Sequence, residues 1–347
     1  MLNLRGLTLE ELRKELTSLG EPSYRGDQVF QWLCAKGVTS FEEMHNLPKD
    51  LRKKLAEHYS ISIPEIKRIE EDTDGTIKFV LVLEDKKEIE CVLLPERDHF
   101  TLCVSTQVGC PIGCRFCLTG KMGFKRNLEV AEIIGQVVIA KKFAKEKGFE
   151  LPLRNIVFMG MGEPLLNFEN LIKSLKILSH KKGFNFSRKR LTVSTVGIIE
   201  KIKRFAKEYP TALALSLHGP NDEIRAKLIP FAKTYSVKEL ISVCRNFPKI
   251  KKSRITIEYV LIKGINDDLE CAKELAFLLK GKDFKVNLIP FNPHPALPFE
   301  RPSEDQIKRF QEFLLSKHIL TTIRKSKGTG IRAGCGQLIS QVPNAFN

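Results

Sequence analysis

Three cysteines on one short loop have the spacing of a metal centre. Cys110, Cys114 and Cys117 follow the pattern Cys-x3-Cys-x2-Cys in a glycine-bearing segment. Cysteine thiolates bind zinc and iron–sulfur clusters. A structural zinc site needs a fourth ligand, which Cys103 or His99 could supply, whereas a cubane cluster held by three cysteines leaves one iron open to another ligand. The spacing favours an iron–sulfur cluster, with structural zinc or unligated buried cysteines as alternatives.

A further cysteine, Cys335, lies in the flexible segment Gly334-Cys-Gly336, which could carry a sulfur atom into a pocket. Taken alone, such a cysteine is more often structural. The chain has nine cysteines, an odd number, and we see no apolar signal-peptide core, so we expect reduced, metal-binding or catalytic thiols rather than a disulfide framework. The cysteines with no motif around them are assigned to packing, and these are Cys34, Cys91, Cys244 and Cys271.

From about residue 100, apolar strand-like runs alternate with helical patterns that would position these residues. The predicted strands cover Thr101–Thr106, Asn155–Met159, Leu191–Thr195, Ala212–Leu217, Ile255–Ile262, Val286–Pro290 and Ile319–Ile323. The predicted helices cover residues 129–147, 168–181, 197–208, 221–229, 236–247, 268–280 and 303–317. Repeated strand–helix units imply parallel strands joined by crossovers. We therefore predict an α/β fold with a partial barrel of the (βα)6 type, and an open doubly wound sheet is the alternative.

Glycines and polar residues follow most of these strands, and the carboxyl ends of parallel strands form the site edge of α/β enzymes. Their convergence predicts a site at this edge. The segments concerned are Gly109–Cys117, Gly160–Pro164, Ser194–Gly197, Ser216–Asn221, Gly264–Asp267 and Asn292-Pro293.

The chain before the barrel divides into two further parts. Residues 1–62 are expected to form a helical accessory domain, in which Thr8 and Glu11 have the spacing of a capping box. Residues 63–98 are expected to form a strand extension that includes a pair of strands at Lys78–Leu83 and Lys87–Leu94. Residues 99–347 would then contain the barrel and the loop of Cys335.

The charge of the chain is unevenly distributed. Formal net charge is +16, yet residues 1–100 carry 15 Lys/Arg against 20 Asp/Glu, and residues 101–347 carry 42 against 21. A strongly basic larger part favours a polyanionic partner, most simply nucleic acid, although a solvated basic surface is the alternative. No apolar run approaches the roughly 20 residues of a membrane span. We therefore expect a soluble, cytoplasmic protein with no membrane partner.

The cluster loop, with Phe116 before its last cysteine, is similar to that of the radical S-adenosylmethionine superfamily. Longer motifs narrow this likeness, and over about residues 20–340 the chain resembles the RlmN/Cfr family of radical S-adenosylmethionine RNA adenosine methyltransferases, most like RlmN. The motifs are Leu102-Cys-Val-Ser-Thr-Gln-Val-Gly-Cys110, Met159-Gly-Met-Gly-Glu-Pro-Leu-Leu-Asn167, Ser216-Leu-His-Gly-Pro-Asn-Asp222, Ile257-Glu-Tyr-Val260 and Ala333-Gly-Cys-Gly-Gln-Leu338.

The resemblance implies a role for each of these residues. Cys335 would carry a methyl group, Cys103 would resolve the RNA–enzyme adduct through a transient disulfide, and Glu90 would take the ring proton. Two S-adenosylmethionine molecules would be used per turnover. The implied ligands of one 4Fe–4S cluster are Cys110, Cys114 and Cys117. The implied contacts to S-adenosylmethionine are Gly162, Glu163, Ser194, Ser216, Leu217, His218 and Asn292.

The same resemblance implies 23S ribosomal RNA as substrate and leaves transfer RNA open as a second one. It also implies an electron donor such as flavodoxin or ferredoxin. Basic residues near the reactive cysteines suit phosphate contact. These residues are Lys121, Lys125, Arg126, Arg188, Lys189, Arg190, Arg324, Lys325, Lys327 and Arg332.

The chain departs from the family pattern just before Cys335. Thr329, Gly330 and Arg332 occupy positions that are usually acidic, which puts the structure of this loop in question. Glu163-Pro164 resembles the RlmN branch, which methylates carbon 2 of adenine, rather than the Cfr branch, which methylates carbon 8. Two other interpretations stay open, namely a zinc-structured RNA-binding protein without catalysis and a radical enzyme with a small substrate.

Overall fold

A computed structural model describes residues 1–250, 253–281 and 283–338 of the chain. The N-terminal part is helical, and Arg5 ties it together. The buried Arg5 guanidinium donates to the carbonyls of Leu33 (3.0 Å), Val38 (2.7 Å) and Ile61 (2.9 Å). The predicted capping box of Thr8 and Glu11 is confirmed. The elements of this part are β1 (Leu2–Asn3), α1 (Leu9–Ser18), α2 (Tyr24–Gln31), a π-helical turn (Trp32–Lys36), α3 (Lys49–His58) and β2 (Tyr59–Ser60).

Three antiparallel strands follow, and they extend the main sheet. The predicted pair appears as β4 and β5, while β3 is an edge strand that the sequence did not predict. All but one of its residues are exposed, and its charged residues leave no apolar alternation to find, which is typical of an edge strand. The strands are β3 (Glu65–Glu71), β4 (Ile77–Val82) and β5 (Glu88–Pro95).

The next segment carries the cluster loop. The predicted strand at Thr101–Thr106 ends at Cys103 because the Gln136 side chain takes up the backbone hydrogen bonds of Ser105. Its Oε1 accepts from the Ser105 amide at 2.8 Å, and its Nε2 donates to the Ser105 carbonyl at 3.0 Å. A small antiparallel hairpin that was not predicted follows it. These elements are β6 (Phe100–Cys103), β7 (Gln107–Gly109), α4 (Leu118–Lys121) and β8 (Phe124–Asn127), with β7 paired to β8.

The rest of the described chain repeats a helix and then a strand, and each helix lies within two residues of its predicted bounds. The strands are β9 (Leu153–Phe158), β10 (Leu191–Thr195), β11 (Ala212–Ser216), β12 (Ile255–Leu261), β13 (Phe284–Pro290) and β14 (Leu320–Ile323). The helices are α5 (Val130–Glu146), α6 (Phe168–Ser179), α7 (Ile199–Glu208), α8 (Asp222–Leu228), α9 (Val237–Arg245), α10 (Leu269–Leu278) and α11 (Glu304–Ser316).

The strand order decides between the two predicted architectures. One ten-stranded sheet has the order β14-β13-β12-β11-β10-β9-β6-β5-β4-β3. Within it, β6 and the strands from β9 to β14 pair in parallel. A doubly wound sheet reverses its order at a switch point, whereas here the parallel strands always advance in one direction. The partial barrel is confirmed, and the doubly wound alternative is wrong.

One large hydrophobic cluster joins the N-terminal helices, the strand extension and the barrel. The division at residues 62 and 98 stays a prediction, because strands on both sides of residue 98 share the sheet. None of the helices in the described part of the chain is long and apolar enough to cross a membrane.

Candidate active site

The cluster loop begins at a glycine that no other residue can replace without strain. Gly109 has φ +72°, and a Cβ atom there would lie 1.8 Å from the carbonyl oxygen of Gly123. The next amide, that of Cys110, donates to the same carbonyl at 3.1 Å. This close approach of β7 to the start of β8 bends the chain into the loop that carries the cysteines.

The three cysteines of the loop line one cavity of about 160 Å³. Burial raises the pKa of Cys110 to about 12, and it also raises the pKa values of Cys114 and Cys117. Buried thiols with such pKa values ionise when a metal centre stabilises their charge. The donor set therefore fits a metal–sulfur cluster.

The alternative zinc ligand His99 is engaged elsewhere. One ring nitrogen lies 2.7 Å from Asp98 Oδ1, and the other lies 2.7 Å from Asn155 Nδ2. Within the described residues, no group of three or more His, Cys, Asp or Glu side chains is arranged to hold a single metal ion.

Most of the predicted cofactor contacts line the same cavity as the three cysteines. They are Gly162, Glu163, Ser194, Ser216, His218 and Asn292. Leu217 is fully buried and is not among the lining residues, and its amide donates to the Glu258 carbonyl at 3.1 Å. The hydroxyl groups of Ser194 and Ser216 lie 3.2 Å apart at the ends of β10 and β11. The structure thus brings together side chains from four separate strand ends.

The carboxylate of Glu163 is held by backbone amides. Leu165 donates to Oε1 at 3.1 Å, and Val196 donates to Oε2 at 2.9 Å. Burial raises the pKa of Glu163 to about 7, although these hydrogen bonds oppose the shift. The two backbone hydrogen bonds fix the orientation of the carboxyl group, so in its ionised form this group is suited to receive an ammonium group in the cavity.

His218 is a neutral hydrogen-bond acceptor. Its φ is +57°, and its Nδ1 accepts a hydrogen bond of 3.0 Å from the amide of Val260. Burial, with a smaller effect of the charge of Arg225, lowers the pKa of His218 to about 3. The Phe116 ring packs edge-on against it, with 4.8 Å between ring centroids. The imidazole therefore shapes the cavity as an uncharged group.

Cys335 is exposed and lines two neighbouring cavities, the one just described and a second of about 390 Å³. Cys103 lines the second cavity from the end of β6 and is buried. Burial, and then the charge of Cys335, raises the pKa of Cys103 to about 12. The two cysteines come from positions 232 residues apart in the chain and face one space.

Glu90 lies on β5 on the same face as Val92, which lines the second cavity. Glu90 itself is buried and is not among the residues that line either cavity. One of its oxygens lies 3.5 Å from Lys78 Nζ. The structure therefore places Glu90 beside the second cavity and next to the buried ammonium group of Lys78.

Two charged residues of the site had no role predicted in it. Glu258 is 4% exposed and lines the first cavity, where Asn287 donates to its Oε1 at 3.1 Å and Oε2 has no hydrogen-bond partner among the described residues. Arg324, predicted only as part of a basic surface, lines both cavities. The negative charges of Cys335 and Glu258 raise its pKa. A charged residue inside the otherwise largely apolar strand β12 was the signal that could have identified Glu258.

The predicted basic surface is only partly available for a polyanion. Lys125 is exposed beside the cluster loop. Arg126 instead forms ion pairs with Asp85 (2.8 Å) and Glu132 (2.7 Å), and Lys327 forms one with Glu96 (3.1 Å). The charges of Arg126 and Lys327 are therefore balanced by carboxylates, whereas Lys325 and Arg332 are exposed.

Comparisons with known proteins agree with this geometry. Residues 104–276 match the radical SAM superfamily, and residues 2–61 match the ribosomal RNA large subunit methyltransferase N-terminal domain. The chain is 46% identical to the dual-specificity RNA methyltransferase RlmN of Solidesulfovibrio magneticus, over 97% of this chain and 96% of the relative. It is 44% identical to the RlmN of Geobacter sulfurreducens, over 97% of this chain and 92% of the relative.

A solved structure is similar over the same length. The crystal structure of a radical SAM methyltransferase from Sphaerobacter thermophilus superposes with a TM-score of 0.93 at 44% sequence identity, covering 98% of this chain and 100% of that one.

Proposed function

Because this chain belongs to the RlmN family of radical S-adenosylmethionine RNA methyltransferases, we propose that it methylates carbon 2 of an adenosine in 23S ribosomal RNA. It is an enzyme that uses a 4Fe–4S cluster and S-adenosylmethionine. The observation that carries the finer proposal is the position of Cys335, which faces the cofactor cavity on one side and Cys103 on the other.

Three groups of residues would hold the cofactors. Cys110, Cys114 and Cys117 would bind the cluster through their thiolates. Glu163 would accept the ammonium group of S-adenosylmethionine. When bound there, the cluster and S-adenosylmethionine supply a deoxyadenosyl radical. The remaining predicted contacts would orient the nucleoside part, and they are Gly162, Ser194, Ser216, Leu217, His218 and Asn292.

Cys335 would be the methyl carrier. Its thiolate would take a methyl group from one S-adenosylmethionine by displacement, giving an S-methylcysteine. The S-methyl group would then lose a hydrogen atom to the radical derived from a second S-adenosylmethionine. The carbon radical left on Cys335 would add to carbon 2 of the adenine. Each turnover would therefore use two molecules of S-adenosylmethionine and pass through a covalent RNA–enzyme adduct.

Cys103 would release the product. After the adduct has passed one electron to an oxidised one-electron carrier, such as the flavodoxin or ferredoxin proposed below, and its ring proton to Glu90, the Cys103 thiolate would attack the sulfur of Cys335. An S–S bond forms as the C–S bond breaks, and the released carbon takes a proton to become the methyl group. The resulting disulfide must be reduced before the next turnover, which a thiol reductant can do.

Glu90 is our proposal for the base that removes the ring proton. Glu90 is buried on the face of β5 where Val92 lines the second cavity, and this position supports the role. Its Oε1 lies 3.5 Å from Lys78 Nζ, so the buried carboxyl group has a cation beside it.

Carbon 2 is proposed over carbon 8 because Glu163-Pro164 has the form found in the RlmN branch. The relatives named dual-specificity enzymes support a transfer RNA as second substrate. We also propose a flavodoxin or ferredoxin as electron donor and the cytoplasm as location.

The test uses protein purified without oxygen and with its cluster reconstituted. It is incubated with S-adenosylmethionine, a reductant and unmodified 23S ribosomal RNA fragments, and the digested RNA is analysed by mass spectrometry. We expect 2-methyladenosine. Methyl at carbon 8 would move the chain to the Cfr branch, and no methyladenosine despite cleaved S-adenosylmethionine would contradict the proposed substrate. A colourless chain with zinc in place of iron would support a structural role instead.

A further inference from the structure

The segment that presents Cys335 is bound along its length by the strand extension. We call residues 326–336 the Cys335 loop. The amide of Gly328 donates to Asp74 Oδ2 at 2.9 Å, and the amide of Gly330 donates to Asp72 Oδ2 at 2.9 Å. Both aspartates lie in the turn between β3 and β4, more than 250 residues away in sequence.

A third contact to this loop comes from inside β4. Lys78 is 5% exposed, and its ammonium group donates to the carbonyl of Ile331 at 2.6 Å. The same nitrogen lies 3.0 Å from Glu70 Oε2 and 3.5 Å from Glu90 Oε1. A lysine is rarely buried unless it is paired, so this position in the apolar segment Ile77–Val82 needs an explanation beyond packing.

The glycines of the loop make these contacts sterically feasible. Gly328 has φ +65°, and a Cβ atom there would lie 2.7 Å from the Cβ of Ala333. A Cβ atom on Gly330 would lie 3.1 Å from Asp72 Oδ1. This chain thus carries glycine at one of the usually acidic loop positions and places two acidic residues on the opposing turn.

We propose that Lys78 is a positioning residue that holds the Cys335 loop and Glu90 in one arrangement, with Asp72 and Asp74 fixing the outer part of the loop. Its ammonium group joins the carbonyl of Ile331, four residues before Cys335, to the carboxylate proposed as the base. This inference rests on the proposed function, because it assigns a purpose to keeping Cys335, Cys103 and Glu90 close together.

The consequence is a measurable proximity of the two cysteines. When glutathione disulfide oxidises Cys103 and Cys335, two glutathione thiols are released as the internal disulfide forms. The equilibrium constant of this exchange reports how closely the fold holds the two sulfurs. Releasing the loop lowers that constant without changing either thiol.

The experiment uses the full chain with its cluster reconstituted, under anaerobic glutathione buffers, with Cys335 verified as unmethylated. Peptide mass spectrometry measures the Cys103–Cys335 disulfide. We expect Lys78→Met to lower the exchange constant about tenfold, because a charged hydrogen bond to Ile331 is lost. Lys78→Arg keeps the charge and should restore part of the constant. Asp74→Asn should lower it by roughly twofold, because it weakens a single hydrogen bond to the loop and leaves the Lys78 contact in place.

Lys67→Met is the matched control. Lys67 pairs with buried Glu88 on the same strand extension and makes no contact with the loop in the described structure. It should leave the constant unchanged. If Lys78→Met does not fold, the double variant Lys78→Met/Glu90→Gln removes the ion pair together with the loop contact, and it should show the same loss.

Two negative results are distinguishable. A wild-type chain that forms the disulfide, with Lys78 variants that form it equally well, would overturn only the role of Lys78. A wild-type chain that forms no Cys103–Cys335 disulfide in any buffer would overturn the proposed function and this inference together.

Discussion

The amide of Leu118 donates a hydrogen bond of 2.8 Å to the carbonyl of Gly336. Leu118 directly follows Cys117, and Gly336 directly follows Cys335, so one hydrogen bond holds the proposed last cluster ligand close to the proposed methyl carrier. Gly336 has φ +80°, and a Cβ atom there would lie 3.1 Å from the Phe116 carbonyl. The residue after Cys335 is therefore held by the segment that follows Cys117, in addition to the contacts from the strand extension.

Replacing Cys103 by alanine should trap the enzyme on its RNA. The first half of the proposed reaction needs only Cys335, so the adduct should form, but no thiolate remains to break the C–S bond. We expect a covalent protein–RNA species on denaturing gels and almost no free methylated RNA. Cys244→Ala, which removes a buried packing thiol, should release product normally. Free product at the wild-type rate from Cys103→Ala would exclude its resolving role.

Gly109→Ala should prevent assembly of the cluster. Its added methyl group would lie 1.8 Å from a backbone oxygen, so the β7–β8 hairpin cannot keep its form. Gly113 is the matched control, because its φ of +70° is equally strained but nothing lies within 4 Å of an added Cβ. The control should cost only the conformational strain of about 1–2 kcal/mol. We expect iron per chain to fall severalfold in Gly109→Ala and to stay near the wild-type value in Gly113→Ala.

The barrel could be predicted because the spacing of apolar residues and the positions of turn residues indicate the same strands and helices along the chain. Each parallel strand is a short apolar run, and each following helix has an apolar stripe, so their order alone gave the architecture. The edge strand Glu65–Glu71 could not be found in this way, because its residues are nearly all exposed and charged. This strand forms because it pairs with β4, and no pattern within residues 65–71 indicates that pairing.

Some residues of the site could likewise be predicted from the sequence, and others could not. The cysteines and the cofactor contacts stand in motifs, so the sequence named them. No local pattern indicates a role for Lys78 or Glu258, because the roles proposed for them depend on contacts with residues far away in the chain, such as Ile331 and Asn287. Arg324 was predicted as a surface cation, yet its place beside both cavities follows only from the way β14 ends next to β13.

His218 should make the fold sensitive to acid. Its pKa falls from 6.5 in the unfolded chain to about 3 in the folded chain, so the unfolded state binds an extra proton between these values. The contribution of His218 to the free energy of unfolding is therefore fully present above pH 6.5 and is lost as the pH falls towards 3. Between pH 7.5 and 5.5 the loss should be about 1 kcal/mol.

Urea unfolding at both pH values measures this loss. In His218→Gln the pH-dependent part of the loss should shrink by that amount, whereas the same change at exposed His45 should leave it as it is. An identical pH dependence in wild type and His218→Gln would mean that the imidazole takes up its proton as readily in the folded chain as in the unfolded one, which would contradict the lowered pKa.

Glu258→Gln should weaken binding of the cofactor rather than folding. The carboxyl group is buried in the first cavity, the proposed cofactor site, where Asn287 donates to Oε1 and Oε2 has no hydrogen-bond partner among the described residues. A glutamine must keep its oxygen towards Asn287, so it would present an amide N–H group to the cavity instead of an acceptor. Loss of one charged hydrogen bond corresponds to a weakening of about tenfold or more.

Equilibrium dialysis of S-adenosylhomocysteine against the cluster-bearing protein measures the dissociation constant directly, without turnover. The control is Glu88→Gln, because Glu88 is also buried but pairs with Lys67 and is not among the residues that line either cysteine cavity. We expect the dissociation constant to rise for Glu258→Gln and to remain at the wild-type value for Glu88→Gln. Equal affinities in all three proteins would show that the open oxygen of Glu258 does not contact the nucleoside, and the buried charge would then act only through its neighbour Arg324.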